Sequence, residues 1–339
     1  MLLAMILADY IVQFHPYSKV EADINIGSFK ASLVSDDNTR LKYSRDRNVL
    51  RIVTNSHIPL DMVDTIQTRP VWNLDRIDQR KGYDKVYRYD DRAGVDVSAY
   101  ILDTGINTKH QEFVGRTVFS FDSTGEGLFD KVGHGSHIAG IIGGRTFGVA
   151  KKVELVAVKV LGEKGGTEYG ILKGLEWAVN DMKRRNRKAV ANMSIAAPNL
   201  KALNDGVRAA IAAGLTIVAS AGNKNEDACT QSPASIDEVI TVGATDSKDK
   251  RTDFSNWGRC VDIFAPGLDI TSADADTNYG STDMSGTSMS APHVTGVAAL
   301  YLSMNIKNVK TAIVNSGSPV VNTNNVQSTT NRLVFNNPQ

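Results

Sequence analysis

The chain has 339 residues, 42% of them hydrophobic and 22% charged, which is ordinary for a globular protein that buries a large core without metals or disulfides. A net charge of +1 argues against a dedicated nucleic-acid-binding protein, and two cysteines are too few for a disulfide-framework fold. No segment approaches the roughly 18 apolar residues that a membrane span requires.

The first eight residues, MLLAMILA, form an apolar run that ends in a small residue. The run is at the short end of a signal-peptide core, and no Lys or Arg precedes it. The pattern therefore leaves three interpretations open: a complete or truncated secretory signal, a buried first strand, or a start assigned too late. We treat residues 1–8 as a truncated signal segment.

Residues 9–67 contain short strand-like runs separated by polar stretches, and none of them suggests catalysis. Two of the runs are Tyr10 to Phe14 and Val49 to Val53. A charged stretch from Asp75 to Gly94 follows and is typical of a linker that leads onto the surface of a second domain. We therefore predict a small domain over 9–67 and a larger one over 68–339.

Beyond Val95, apolar runs rich in β-branched residues alternate with helical patterns. The clearest helical pattern runs from Glu168 to Arg185, and a second runs from about Leu200 to Ala213. Continuous apolar strands separated by helices predict a mostly parallel sheet covered on both faces. Sites in such sheets form beyond the carboxyl ends of the strands, which is where Asp103 and Asn223 lie.

Three glycine-flanked segments supply the parts of one reaction: LDTG at 102–105, GHGSH at 133–137 and SGTSMSAPH at 285–293. They contain an acid, Asp103, a base, His134, and a hydroxyl nucleophile, Ser288. A serine hydroxyl needs a positioned base to take its proton, and that base needs a partner to fix its tautomer. The order Asp, His, Ser is one of three unrelated chain orders that produce this geometry.

Each segment also has a simpler interpretation. Asp103 could cap a helix or turn, and the Ser288 segment could be an ordinary loop. His134 and His137, spaced i, i+3, could be the ligands of a metal-dependent hydrolase, although neither an HExxH pattern nor a cysteine cluster accompanies them. The basic run at 183–188 ends a helix, where cations oppose the dipole, so we expect no nucleic-acid partner.

Around these motifs the sequence resembles the subtilisin-like serine proteases, in particular the proteinase K branch, from about Trp72 to Phe335. The residues that carry the resemblance are YILDTGI at 100–106, GHGSHIAG at 133–140, ASAGN at 219–223 and GTSMSAPHV at 286–294. The resemblance implies an α/β, three-layer fold with a mostly parallel central sheet flanked by helices. It also implies that a small α+β, ferredoxin-like propeptide domain precedes this fold.

The activity implied by the resemblance is that of a secreted, monomeric serine endopeptidase, acting on protein or peptide substrates through an acyl-enzyme. Ser288 would attack the peptide carbonyl, His134 would transfer its proton, and Asp103 would orient His134. Asn223 would donate its side-chain amide to the oxyanion, together with the Ser288 N–H. No cofactor is implied for the chemistry, and His137 and His293 are expected to pack rather than to catalyse.

An extended substrate would add as a strand between two segments and extend into a neighbouring pocket. The implied substrate-binding residues are Gly165, Gly166, Thr167, Ser194, Ile195, Ala196, Ala221 and Gly222. The chain departs from the family where the usual Leu-Gly-Gly is Ile195-Ala196-Ala197. Because each alanine adds a methyl group, we expect a narrowed or reshaped S1 pocket.

Some proteinase K relatives carry a disulfide at the positions of Cys229 and Cys260. The resemblance therefore favours a bridge, which implies an oxidising compartment, over two buried thiols.

The family's strong calcium site falls here on the carbonyls of Asp237 and Val239 and on Asp262. Oxygen ligands suit a structural Ca²⁺. Asp237 stands where the family has a proline, and Asp262 could instead cap a strand.

The N-terminal part would act as an intramolecular inhibitor, with its C-terminal end in the active site until it is cut near Asp64 to Arg69. A propeptide that is never released would instead make the chain a latent, non-catalytic binding protein. The sequence does not identify the physiological substrate.

Overall fold

The computed structural model describes residues 10–16, 18–26, 29–54, 64–324, 326 and 328–337. The predicted signal segment, 1–8, lies outside the described residues. The chain divides into two compact units, the first ending at Asp61 and the second beginning at Met62. The sequence placed this boundary after Gln67. The difference arises because residues 64–68 pair with a strand of the larger unit.

The smaller unit is an antiparallel sheet with one described helix. Its elements are β1 (Tyr10–Phe14), β2 (Ile24–Ile26), β3 (Phe29–Val34), α1 (Asp37–Tyr43) and β4 (Val49–Thr54), and the strand order is β2-β3-β1-β4. Val12, Phe14 and Val34 form its buried core, and Tyr43 of α1 packs edge-on against Phe14 with ring centroids 5.7 Å apart. The unit is therefore α+β. Its role as a propeptide stays a prediction.

The larger unit opens with short elements. They are β5 (Asp64–Thr68), α2 (Trp72–Ile77) and β6 (Val86–Asp90), and β5 and β6 pair antiparallel. Its principal strands and helices follow as β7 (Val97–Asp103), β8 (Thr117–Asp122), α3 (His134–Gly143), β9 (Glu154–Lys159), α4 (Glu168–Arg185), β10 (Lys188–Met193), β11 (Ala197–Pro198), α5 (Lys201–Ala212), β12 (Thr216–Ser220) and β13 (Gln231–Ser232).

The remaining elements are β14 (Ile240–Thr245), β15 (Ile263–Pro266), β16 (Ile270–Ala273), β17 (Ser281–Met284), α6 (Thr287–Ser303), α7 (Val309–Ser316), β18 (Ser318–Pro319) and β19 (Arg332–Leu333). Two single-turn 3₁₀ helices lie at Gln111–Phe113 and Ala228–Thr230. No helix in the described part of the chain is long and apolar enough to cross a membrane.

The centre of the larger unit is a nine-stranded sheet in the order β18-β19-β15-β14-β12-β10-β7-β9-β8. Only the β18–β19 pair is antiparallel within this sheet. Alternate residues of one strand enter two separate cores: Val218 faces the side of α3 and α6, whereas Ile217 faces the side of α4 and α5. The predicted α/β fold of three layers, with a mostly parallel central sheet, is confirmed.

Candidate active site

The carboxyl ends of three neighbouring strands carry predicted site residues. Asp103 ends β7, Ser194 follows β10, and Ala221 to Asn223 follow β12. β10 lies between β7 and β12, and the three strands are parallel, so these residues come to one edge of the sheet. His134 and Ser288 lie in the first turns of α3 and α6, two helices that pack against each other over this sheet.

Asp103 and His134 form a direct hydrogen bond. His134 Nδ1 lies 2.7 Å from Asp103 Oδ1, and the same oxygen accepts the Thr104 N–H at 2.8 Å. The Asp103 side chain is fully buried, whereas 27% of the His134 side chain is exposed. Because Nδ1 donates to the carboxylate, the neutral ring keeps its lone pair on Nε2, the nitrogen a general base would use.

Two carboxylates act on the pKa of His134. Burial lowers it, but the charge of Asp103, the hydrogen bond to Asp103 and the charge of Asp130 together raise it above its ordinary value of 6.5. The ring is therefore well suited to accept a proton and to carry it as an imidazolium during a reaction.

The start of α3 is held by Asp130, a residue that no sequence motif had indicated. Its fully buried carboxylate accepts hydrogen bonds from the Gly133 N–H at 2.8 Å, the Ser136 N–H at 2.7 Å and the Thr104 hydroxyl at 2.8 Å. These bonds join the residue after Asp103 to the helical turn that begins with His134. The only signal in the sequence is an acidic residue just before a helix start.

Gly135 lets this helix approach the strand end closely. Its N–H donates to the Thr104 hydroxyl at 2.9 Å. A Cβ at this position would lie 2.2 Å from the carbonyl oxygen of Gly105, so any side chain would push α3 away from the segment that follows Asp103. The glycine after His134 therefore contributes directly to the Asp103–His134 geometry.

The carbonyl oxygen of Ser288 has a side-chain partner in place of a helical one. A helix carbonyl normally accepts the N–H four residues later, but residue 292 is a proline and has none. The Ser194 hydroxyl donates to Ser288 O at 2.9 Å, and Ser288 Oγ lies 3.5 Å from Ser194 O. Asn192 Nδ2 donates to Ser194 Oγ at 2.9 Å, so this hydroxyl is itself oriented.

The side-chain amide of Asn223 is bound through its oxygen to Thr287, the residue before Ser288. Its Oδ1 accepts both the N–H of Thr287 at 2.8 Å and the Thr287 hydroxyl at 2.7 Å, which leaves Nδ2 available. A Cβ on Gly286 would lie 3.3 Å from Asn223 Nδ2 and 3.7 Å from Ser288 N. Two nitrogens therefore border a space that a side chain at 286 would fill, and this arrangement suits a developing oxyanion.

The remaining predicted substrate residues lie in two connections. Gly165, Gly166 and Thr167 join β9 to α4, and the Thr167 hydroxyl caps α4 by accepting the Gly170 N–H at 3.1 Å. Ser194 to Ala196 join β10 to β11.

The segments that follow β10 and β12 approach each other closely. Ala196 Cβ lies 3.4 Å from the point where a Cβ of Gly222 would be. The methyl group that replaces the family's glycine at 196 therefore lies against the opposite segment.

His137 and His293 are buried and bound to backbone oxygens. His137 Nε2 donates to Ile270 O at 2.9 Å, and His293 Nδ1 donates to Met289 O at 2.8 Å. Burial lowers the pKa of each to about 4, so both rings are neutral. In the described ranges no group of three or more His, Cys, Asp or Glu gathers as a metal site, and the metal-dependent hydrolase finds no support in their contacts.

Cys229 and Cys260 form a disulfide with their Cα atoms 5.2 Å apart, as favoured from the resemblance. The bridge joins the 3₁₀ helix at 228–230 to the segment before β15.

The three oxygens predicted as calcium ligands do lie together, but they surround an ammonium group. Lys310 Nζ donates to Asp237 O at 2.6 Å and Val239 O at 2.7 Å, and lies 2.8 Å from Asp262 Oδ1. Burial raises the pKa of Asp262, while the charge and hydrogen bond of Lys310 oppose that rise. The ligand set present therefore does not fit a resident Ca²⁺ alongside Lys310.

Comparison with known proteins finds a family model and several relatives that match the part of the chain that carries this site. A family model described as the subtilase family matches residues 94–334. The chain is 46% identical over 253 residues to alkaline serine exoprotease A of Vibrio alginolyticus, covering 73% of this chain and 46% of that protein. It is 48% identical over 241 residues to an extracellular serine proteinase of Thermus sp. (strain Rt41A), covering 70% of this chain and 58% of that protein. The chain thus spans about half the length of these relatives.

A solved structure, described as a cold adapted subtilisin-like serine proteinase, superposes with a TM-score of 0.75 at 41% identity. The match covers 80% of this chain and 100% of that one. Since the family model matches most of the chain and begins just before the strand that ends in Asp103, this chain belongs to the subtilase family.

Proposed function

We propose that the protein is a serine endopeptidase that hydrolyses peptide bonds in proteins. Two observations carry the proposal. One is the Asp103–His134 hydrogen bond of 2.7 Å at the start of α3, and the other is the pair of nitrogens, Asn223 Nδ2 and Ser288 N, near Gly286 at the start of α6, the helix that packs against α3. The first feature supplies a base of fixed tautomer, and the second supplies two donors to an oxyanion. The relatives described as serine proteinases support the same reaction class.

In the first half of the reaction, Ser288 Oγ attacks the peptide carbonyl carbon while His134 Nε2 takes the hydroxyl proton. The carbonyl oxygen becomes an oxyanion that accepts from Asn223 Nδ2 and the Ser288 N–H. The tetrahedral intermediate collapses, the C–N bond breaks, and His134 gives its proton to the leaving amine. The acyl group stays on Ser288 as an ester.

In the second half, water replaces the amine. His134 removes a proton from the water as its oxygen attacks the acyl carbon, and the proton then goes to Ser288 Oγ as the ester bond breaks. Asp103 stays ionised throughout and stabilises the imidazolium. No step needs a metal or a redox cofactor.

The substrate would lie extended between residues 165–167 and 194–196, with main-chain hydrogen bonds supplying most of the affinity. The P1 side chain would enter a pocket bordered by Ala196, Ala221 and Gly222. The close approach of Ala196 to Gly222 supports a narrowed pocket. A peptide library varied at P1 tests this, because an undiminished preference for large aromatic residues would contradict it.

Residues 9–67 would serve as the inhibitory propeptide of a secreted, monomeric, self-processing zymogen. The Thermus relative is described as extracellular, which supports secretion. In the structure β5 is paired with β6 along its whole length. A cut at the amino-terminal side of β5, near Asp64, leaves this pairing intact. Within 64–69 we therefore favour the first position, which would leave residues 64–67 of the predicted segment on the mature enzyme.

Labelling with an organofluorophosphonate, which reacts with activated serines, tests the proposal directly. We expect one equivalent to attach to Ser288 in the wild type and none in Ser288→Ala. Ser290→Ala, which removes a buried hydroxyl two residues away, should label normally. A wild type that folds, has lost its N-terminal part and still fails to label would contradict the proposal and favour the non-catalytic binding protein.

A further inference from the structure

Lys310 occupies the centre of the oxygen cluster where the resemblance implied a metal ion. An ammonium group has three N–H donors and no acceptor. Its three partners here are two carbonyl oxygens, those of Asp237 and Val239, and one carboxylate oxygen, Asp262 Oδ1, at 2.6, 2.7 and 2.8 Å. Each donor therefore has one acceptor, and the positive charge faces a carboxylate.

The carboxylate in this cluster is fixed on both sides. Asp262 Oδ2 accepts the Thr241 N–H at 2.8 Å, while Oδ1 meets the ammonium. The Asp262 side chain is 19% exposed and the Lys310 side chain 31% exposed, so water screens the pair only partly. A carboxylate held in this way needs a nearby cation, because burial without one disfavours its charge.

The cluster joins three segments that are distant in the chain. Lys310 is in the first turn of α7, Val239 directly precedes β14, and Asp262 directly precedes β15. The neighbouring residue Val309 is buried, which anchors the start of α7 beside the cluster. The ammonium thus connects the C-terminal helix to the ends of two central strands, as a bound structural ion would.

Calcium and Lys310 cannot share this place. Ca²⁺ binds oxygens at about 2.3–2.6 Å and needs six to eight of them. The ammonium already lies within hydrogen-bonding distance of all three oxygens, and its charge would repel a divalent ion. A cavity of about 210 Å³ lined by Ala234, Arg259, Lys310 and Asp262 adjoins the cluster, so removing the lysine side chain would leave room for an ion with its water ligands.

We propose that the Lys310 ammonium is a built-in cation that takes the place of a structural divalent ion, so that this cluster stabilises the fold without metal. It follows that the three oxygens become available to bind a metal ion only when the lysine side chain is removed. The proposal does not depend on the catalytic activity.

Thermal unfolding of the full chain in a Ser288→Ala background, which prevents autolysis, tests it. The unfolding temperature of the parent should change little or not at all between EDTA and millimolar CaCl₂. Lys310→Ala should unfold about 5 °C lower in EDTA, because it leaves Asp262 without its partner. Calcium should then restore much of that loss. Lys310→Met keeps the length of the apolar stem, and its unfolding temperature should shift in the same direction. It replaces the alanine variant in the test if that variant fails to fold.

Two further variants separate the cluster from general effects. Lys307→Ala removes an exposed lysine three residues before Lys310, and this variant should unfold at the same temperature as the parent in both conditions. Asp262→Asn in the Lys310→Ala protein should abolish the calcium response. A parent stabilised by calcium as strongly as Lys310→Ala would overturn the proposal. So would a Lys310→Ala protein that is unchanged in EDTA, or one that is destabilised but insensitive to calcium.

Discussion

Thr287 fixes the Asn223 amide in a single orientation. An asparagine amide carries an oxygen and a nitrogen of nearly equal size on opposite sides, and its hydrogen bonds decide which side each faces. The N–H and the hydroxyl of Thr287 both donate to Asn223 Oδ1, and the Thr287 oxygen accepts the Gly222 N–H at 3.1 Å. The nitrogen is thereby directed toward the oxyanion space before any substrate binds.

Replacing Thr287 with valine keeps the shape of the side chain but removes the hydroxyl. We expect kcat to fall about tenfold with KM nearly unchanged, because the amide loses one of two bonds that hold it. Asn223→Ala, which removes the donor itself, should cost about 10²–10³ in kcat. Steady-state kinetics on a peptide substrate measure both, with the exposed Thr311→Val as control. Equal kcat for Thr287→Val and wild type would refute a positioning role for Thr287.

Asp130 acts on His134 through charge as well as through the helix start. Its charge is one of the effects that raise the pKa of His134, so Asp130→Asn should lower that pKa. Since His134 must be neutral to accept a proton, the acid limb of kcat/KM should move to lower pH in the variant. The pH profile of kcat/KM measures this shift. A limb that stays in place, or moves to higher pH, would contradict the electrostatic role.

At the scale of elements, α6 combines a proline with the proposed nucleophile in its first turns. Pro292 removes the N–H that would have bound the carbonyl of Ser288, and the Ser194 hydroxyl takes its place. The bond links α6 to the segment after β10, which is also predicted to bind substrate. The helical hydrogen bond that Pro292 removes is therefore replaced by one that connects the proposed nucleophile to the segment proposed to bind substrate.

Ser194→Ala should destabilise the protein by about 1 kcal/mol, because it leaves the partly buried carbonyl of Ser288 without its partner. Pro292→Ala supplies a helical N–H to the same carbonyl, so the double variant should lose less stability than Ser194→Ala alone. Denaturant unfolding of the two single variants and the double variant, a double-mutant cycle, measures the coupling. Strict additivity would show that Ser194 and Pro292 do not serve the same carbonyl.

The main elements follow from local sequence. The helical pattern over Glu168–Arg185 is observed with those bounds as α4, and the one from about Leu200 to Ala213 is observed as α5 (Lys201–Ala212). β11 and β13 were not predicted, because strands of two residues depend on a partner that lies elsewhere in the chain. Thr287 and Asp130 were missed for a similar reason, since their importance lies in contacts across the fold.

At the scale of the whole molecule, Lys310 shows what the family resemblance could not predict about the implied calcium site. The resemblance brought together Asp237, Val239 and Asp262, and the structure also brings them together. Lys310 is 73 residues from Asp237 and is one of many lysines in a chain with 38 Lys and Arg, so nothing local distinguishes it. Its role becomes apparent only when α7 is placed against the sheet.

Asp78, at the end of α2, makes the stability of the larger unit depend on pH. Burial, opposed by the hydrogen bond from the Arg88 N–H, raises the pKa of its carboxyl to about 7 from an ordinary 3.8. The folded protein thus holds a proton that the unfolded chain releases at lower pH. Stability should therefore fall as the pH rises through this window.

An asparagine side chain resembles the protonated carboxyl of Asp78, so Asp78→Asn should remove this loss of stability at higher pH. In the Ser288→Ala background, we expect its unfolding midpoint to exceed the parent's at about pH 8 and to match it at about pH 4. Asp205→Asn removes an exposed carboxylate on α5, far along the chain from Asp78, and serves as control. A gain that is the same at both pH values would point to a cause other than the proton on Asp78.

The most direct test of the central proposal, that Ser288 is the nucleophile of a self-processing endopeptidase, compares purified wild type with Ser288→Ala expressed in parallel. Intact mass and N-terminal sequence would be determined for both, followed by casein hydrolysis. The account predicts a wild type shortened to begin near Asp64 to Arg69, with hydrolysis, and an uncut, inactive variant. A variant that is cut at the same position and hydrolyses casein at the wild-type rate would contradict it.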